Sequence, residues 1–190
     1  RDTGRYIDGT DRRAIFYLVA AQYPLPGDPM SMIAERVSLE QGGVFRLKGV
    51  SCDIRPGELT VLVGPNGSGK TSLIKLLSGE IQATQGMVSL EGEALQHWPA
   101  LRLAQRRAVL PQHAALDFPF QVRDVVALGR SPHLSDRQRD RQCVSEAMQA
   151  FDVAQYARRL YTTLSGGERQ RVHLARVWVQ LAESSPEQPG

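Results

Sequence analysis

The chain has 190 residues, 42% of them hydrophobic, and 23 basic against 20 acidic side chains give a formal net charge of +3. That length closes one sizeable core with at most a small second lobe, while arginine clusters interspersed with acids and unaccompanied by any nucleic-acid motif argue against a nucleic-acid partner. Cys52 and Cys143 lack CxxC spacing, and His97, His113, His133 and His173 lack zinc-site spacing, so neither a disulfide framework nor a thiolate metal site is expected, and no apolar run reaches the roughly eighteen residues of a membrane-spanning helix.

Residues 1–29 are rich in charge, Gly and Pro, and read as an N-terminal extension of unknown role. Their one apolar patch, residues 14–21, has the length of a short strand or helix packed on a neighbour. Asp and Arg before it and prolines after it make it a poor fit to a signal peptide. From residue 30 the pattern turns regular. Residues 33–39 read as a strand, Gly42-Gly43 as a turn, and residues 44–47 and 50–54 as two further strands, a hairpin-like antiparallel start. Pro56-Gly57 is another turn, and Leu59-Thr60-Val61-Leu62-Val63 is an apolar strand.

That strand runs into Gly64-Pro65-Asn66-Gly67-Ser68-Gly69-Lys70-Thr71, followed by the helical pattern that starts at Ser72 and ends near Gly79. A strand, a glycine-rich turn ending in Lys-Thr and a helix form a phosphate-binding loop. The glycines let the backbone turn its amides toward phosphate oxygens, and the helix start adds partial positive charge. Lys70 is placed to reach the β- and γ-phosphates, and the Thr71 hydroxyl to ligate Mg2+. Gly64, Pro65, Asn66, Gly67, Ser68, Gly69, Lys70, Thr71 and Ser72 are therefore the candidate ATP-binding residues.

Beyond the loop, residues 86–92 read as a short strand with a turn, residues 101–107 as a basic helix, and residues 108–111 as a short buried strand. Phe118-Pro119-Phe120 is irregular. Residues 122–128 read as a helix with Gly129 placed to stop it. Residues 137–151 read as a longer helix with one buried stripe of Cys143, Val144, Ala147, Met148 and Phe151. A further element surrounds residues 153–160. Ser165-Gly166-Gly167 caps a last helix over residues 168–181. A helical lobe, residues 113–163, is thus inserted into an α/β core.

Leu164-Ser165-Gly166-Gly167-Glu168-Arg169-Gln170-Arg171 resembles the signature of ATP-binding-cassette ATPases, and Leu110-Pro111-Gln112-His113 resembles their Q-loop. With the phosphate loop ahead of both, the chain is identified as resembling that family over residues 33–181. The resemblance implies an α/β P-loop NTPase core with an antiparallel β subdomain and an inserted helical subdomain. It implies that Lys70, Gln112 and Ser165 are catalytic, that Thr71 and Gln112 serve Mg2+, and that Ser165, Gly166, Gly167 and Glu168 bind nucleotide. In the family the signature of one subunit covers the γ-phosphate held by a second copy, so a head-to-tail homodimer is implied. The family also stacks an aromatic ring on adenine just before the first turn, and Phe45 is the one aromatic side chain of residues 39–45.

The stretches 106–113, 118–130 and 161–177 and the Ala182-Glu183-Ser184-Ser185-Pro186-Glu187 segment look like the haem-importer ATPases of Gram-negative bacteria, with siderophore and vitamin B12 importer ATPases as near relatives. This narrower resemblance implies transmembrane permease subunits, a periplasmic haem-binding protein, and a place on the cytoplasmic face of the inner membrane. Phe118-Pro119-Phe120 and the helix after it are the candidate permease-docking surface. Family members carry an apolar strand ending in Asp-Glu and a later histidine beyond the signature helix, and neither falls within the 190 residues. The expectation is a chain truncated at its C-terminus, inactive alone and active in the full-length protein.

Overall fold

A computed structural model describes residues 15–17, 31–56, 58–110, 118–133 and 136–182. The chain divides into two compact units, residues 1–98 and 99–190.

The first unit is built on an antiparallel sheet. β2 (Met32–Gln41) turns through Gly42-Gly43 into β3 (Val44–Ile54), and β5 (Gln85–Leu90) and β6 (Glu93–Ala94) complete the order β3-β2-β5-β6. The two strands expected at residues 44–47 and 50–54 are one. Gly49 stands between them at φ +61, a conformation that glycine adopts without strain, and its N–H donates to the Ser38 hydroxyl at 3.0 Å. The irregularity is therefore a bulge stapled by a buried serine, not a break. The antiparallel start is as read from the turns.

β4 (Val61–Val63) carries the chain to the phosphate loop and pairs antiparallel with β1 (Ile15–Tyr17), so the apolar N-terminal patch contributes a strand. After the loop comes α1 (Lys70–Leu77), which lays Leu73, Leu76 and Leu77 onto Ala34, Val37, Leu39, Leu47, Ile54 and Val88 of the sheet. Each buried leucine there contributes about 1.5–3 kcal/mol. This core fixes the start of α1, and with it the loop, against the sheet.

The second unit is helical: α2 (Ala100–Arg106), α3 (Val122–Ala127), α4 (Arg137–Ala150) and α5 (Gly166–Leu181). α5 is the central rod. Val172, Ala175 and Val179 meet Val122, Val125 and Val126 of α3 and Ala147 and Met148 of α4 in one core. Of the stripe expected on α4, Ala147 and Met148 are buried and Val144 and Phe151 pack against the same core, whereas Cys143 is half-exposed.

Two expectations need correction. Residues 108–110 form no strand among the described residues, and Val109 and Leu110 are exposed. An apolar run becomes a strand only where a neighbouring edge satisfies its amides; Pro111 lies outside the described residues. Gly129 does not stop α3, because the chain continues as a 3-10 turn over Leu128–Arg130. Its lack of a side chain serves packing instead: a Cβ there would sit 2.2 Å from the Arg176 carbonyl oxygen and 2.5 Å from Val179 Cγ2 of α5.

Candidate functional site

The phosphate loop folds around its own lysine. Lys70 is buried, and its ammonium donates to the Pro65 carbonyl and to the Ser68 hydroxyl, the latter at 3.2 Å. A Cβ on Gly64 would sit 2.9 Å from Ser68 Oγ, so the Ser68 hydroxyl that accepts from Lys70 would have to turn away. Gly69 holds φ +89, and a Cβ on it would meet the Arg46 carbonyl oxygen and Leu47 Cδ2, each at 2.6 Å. The loop is thereby clamped directly on β3.

The start of α1 lacks a side-chain cap. Its N-cap is Gly69, no side chain accepts from the first turn, and no acidic residue stands there. The first amides of a helix have no partner within it, and they present partial positive charge. Together with Lys70 they face a cleft of about 310 Å³ lined by Gln41, Arg46, Asn66, Gly67, Gly69, Lys70, Thr71 and Ser72. The polar side chains among these residues can all donate hydrogen bonds. The donor set fits a polyphosphate anion, and the Thr71 hydroxyl at the helix start fits a ligand to the accompanying Mg2+.

Gln41 and Arg46 were not singled out from the sequence. They flank the Gly42-Gly43 turn, and both line the cleft. The only available signal was their place before and after that turn. Phe45, the aromatic residue of the stretch, does not line the cleft. It is exposed, with Lys48 Nζ 5.7 Å from its ring centre.

The start of α5 is built in the opposite way. Ser165 is its N-cap. The Ser165 N–H donates to Glu168 Oε2 at 2.7 Å, and the Glu168 N–H donates to Ser165 Oγ at 3.4 Å, a reciprocal capping box. The helix begins at Gly166, two residues earlier than the sequence suggests, because this box includes both glycines in its first turn. The hydrogen bond from the Ser165 backbone is the main reason that the Glu168 carboxyl is held down to about 2. A Cβ at Gly166 or Gly167 would meet nothing within 4 Å, and both glycines are exposed in the first turn of the helix. Behind them, Tyr161 and His173 are buried in contact, and Arg169 lies over the Tyr161 ring with its guanidinium carbon 5.5 Å from the centre.

The far end of α5 is also tied. Arg130, buried, donates to the Val179 carbonyl at 2.9 Å, to the Ala182 carbonyl at 2.7 Å and to Asp140 Oδ1 at 2.8 Å. The Gln180 amide donates to the Ala104 and Arg107 carbonyls at the end of α2. Gln112 lies outside the described residues. Phe118 is 70% exposed and Phe120 40%, their ring centres 6.2 Å apart, so neither is a core residue. Among the described residues there is no helix long and apolar enough to cross a membrane and no cluster of three or more metal-ligating side chains.

A strand, a glycine loop closed on its lysine and an uncapped helix start define a P-loop nucleotide-binding protein. Residues 47–183 match the ABC transporter family, and the chain belongs to it. It is 51% identical over 156 residues to a hemin import ATP-binding protein, HmuV, of Pseudomonas fluorescens, covering 82% of this chain and 60% of that protein. It is 49% identical over 158 residues to the hemin import ATP-binding protein HmuV of Gloeobacter violaceus, covering 82% of this chain and 58% of that one. The chain thus spans about 60% of the length of the curated relatives it matches. Among solved structures, an inward-facing metal-chelate type ABC transporter superposes with a TM-score of 0.65 at 25% identity, over 80% of this chain and 56% of that one. A bacterial Atm1-family ABC exporter with ATP bound superposes with a TM-score of 0.67 at 23% identity, over 85% and 30%, and shares the fold. The α/β P-loop fold with an antiparallel sheet is therefore the fold expected from the sequence.

Proposed function

We propose that the protein carrying this chain is the ATP-binding, energy-coupling subunit of an ABC importer that hydrolyses ATP to drive haem (hemin) across the inner membrane. The observation that carries this reading is the pair of contrasting helix starts. One, at Lys70, waits for a polyphosphate to cap it. The other, at Ser165, caps itself through Glu168 and carries two exposed glycines in its first turn. The substrate rests on the hemin import proteins that the chain resembles.

In this reading the loop amides and Lys70 hold the β- and γ-phosphates of ATP. Thr71 and Gln112 would hold Mg2+, which would supply positive charge against the phosphates. The Ser165 hydroxyl and the amides of Gly166 and Gly167 close over the γ-phosphate bound to a second copy of the chain, with Glu168 fixing the turn that presents them. Lys70, Gln112 and Ser165 are the catalytic set. Closing and opening of the homodimer is a shift between two states that bind nucleotide with different affinity. Residues 30–190 form the ATP-binding domain so far as the chain reaches, with residues 113–163 as its helical subdomain. Exposed Phe118 and Phe120 supply the aromatic anchors of a surface for the transmembrane permease. A periplasmic haem-binding protein completes the system, and the subunit sits on the cytoplasmic face of the membrane.

A second substrate class has its own support, the structural likeness to a metal-chelate type transporter, which fits a siderophore or vitamin B12 importer. One experiment separates the two. The full-length gene is placed in a bacterium lacking its own hemin import ATP-binding subunit but holding the matching permease. Growth on hemin as the sole iron source, lost with Lys70→Ala, supports haem. Rescue of siderophore or B12 uptake alone rejects it.

A further inference from the structure

We infer that Tyr161 and His173 are positioning residues for ATP turnover: the contact of hydroxyl with imidazole sets where the Ser165 turn stands on α5, and neither side chain touches nucleotide. The inference rests on the reading above, in which Ser165 acts on ATP held by a second copy, and concerns what keeps Ser165 in place.

Ser165 is exposed and lies between two anchored points. Before it, Leu164 is buried in the helical core. After it, the Glu168 carboxylate closes the capping box. The box fixes the first turn of α5 upon itself. It does not fix the direction from which the chain enters, and that direction decides where the Ser165 hydroxyl is offered.

The entering chain is the 3-10 turn Tyr161–Thr163. Arg169 and His173 stand at i and i+4 on α5, so they share one side of the helix, and both hold this turn. The His173 ring meets the Tyr161 hydroxyl, with Nε2 2.7 Å from the oxygen. The Arg169 guanidinium lies over the Tyr161 ring and donates to the Thr162 carbonyl at 2.6 Å. On the backbone side, the Tyr161 N–H donates to the Phe120 carbonyl at 2.8 Å. Tyr161 is 1% exposed and His173 6%, so water does not compete for their contact. The pair spans twelve positions of the chain and brackets all of Leu164–Arg171.

Packing alone would hold the turn against the helix, but not at one angle. A phenyl ring fills the same space and can tilt at little cost, whereas a hydrogen bond is short and directional. The stiff tyrosine ring carries that restraint from His173, well inside α5, back to the chain entering at Ser165. A misplacement of about 1 Å at a reacting group can cost about a hundredfold in rate, so a restraint of this kind acts on turnover.

The test is steady-state ATP hydrolysis by the full-length protein with Mg2+, with the folded fraction of each variant measured by circular dichroism at the assay temperature. Tyr161→Phe keeps the ring under Arg169 and removes the hydroxyl. It is expected to lower kcat per folded molecule by about three- to tenfold and to leave KM for Mg-ATP unchanged, because the loop that holds ATP is unaltered. His173→Ala is expected to fall as far, and the double variant no further. His173→Gln, whose amide can meet the hydroxyl, is expected to keep most of the wild-type rate. If Tyr161→Phe does not fold, the His173→Ala and His173→Gln pair carries the same comparison. An unchanged kcat in Tyr161→Phe, or a His173→Gln as slow as His173→Ala, would overturn the proposal. So would a loss of rate accounted for entirely by unfolded protein, or a raised KM at unchanged kcat. Lys70→Ala is the reference: if turnover survives it, the nucleotide-site reading has failed, whereas turnover lost with Lys70→Ala and unchanged with Tyr161→Phe rejects the positioning role alone.

Discussion

The hydroxyl of Tyr161 lies 2.7 Å from Nε2 of His173, and both side chains are buried behind the first turn of α5. The rings meet edge to face with centres 5.4 Å apart. A polar pair of this kind ties the 3-10 turn Tyr161–Thr163, which leads into Ser165, to the helix that Ser165 caps. Tyr161→Phe keeps the ring packing and removes one partner from an interior polar atom. It is expected to cost about 1–3 kcal/mol in urea unfolding, and an unchanged midpoint would show that the contact adds nothing to the interior.

The Glu168 carboxylate gives a pH signature. Its folded value, about 2, lies below the ordinary 4.5, so the unfolded chain binds the proton more readily. The capping contribution is then complete above about pH 4.5 and is lost as pH falls toward 2. Glu168→Gln retains an acceptor for the Ser165 amide but does not titrate. Urea midpoints measured from about pH 5 to about pH 2.5 should fall less steeply for the Gln variant than for the wild type. Parallel curves would refute the assignment.

Arg130 links α5, α4 and the turn before them. Its side chain is 4% exposed against 31% for Asp140. Arg130→Met removes three charge-assisted hydrogen bonds at once and frees the Val179 and Ala182 carbonyls. A loss of about 2–4 kcal/mol is expected, together with faster amide exchange in the last turn of α5. Asp140→Asn, which keeps an acceptor for the guanidinium, should cost less.

Two glycines are predicted to resist alanine for different reasons. Gly129→Ala drives a methyl into the Arg176 carbonyl and should destabilise the helical unit by about 1–3 kcal/mol. Gly69→Ala combines φ +89 with a clash on the Arg46 carbonyl, so strain of about 1–3 kcal/mol is accompanied by loss of nucleotide binding. Thermal melting with and without Mg-ATP separates the two: only Gly69→Ala should abolish the ligand-induced shift.

The parts of this fold that were legible are those whose cause is local. The phosphate loop and the Ser165 cap are written in consecutive residues, and the α4 stripe in a periodicity. What escaped depends on partners far along the chain. Gly129 reads as a stop until Arg176 is seen against it, and Arg130 reads as a surface charge until residues 140, 179 and 182 converge on it. Gly49 reads as a break until Ser38 reaches across the ladder.

The bare start of α1 ties occupancy to stability. A helix that supplies no cap of its own is completed by whatever anion arrives, so ligand binding and the integrity of this turn are one equilibrium. At a nucleotide concentration a hundredfold above its dissociation constant the folded state gains about 2.7 kcal/mol. The empty loop, closed on Lys70, is thus the less stable form of its own unit.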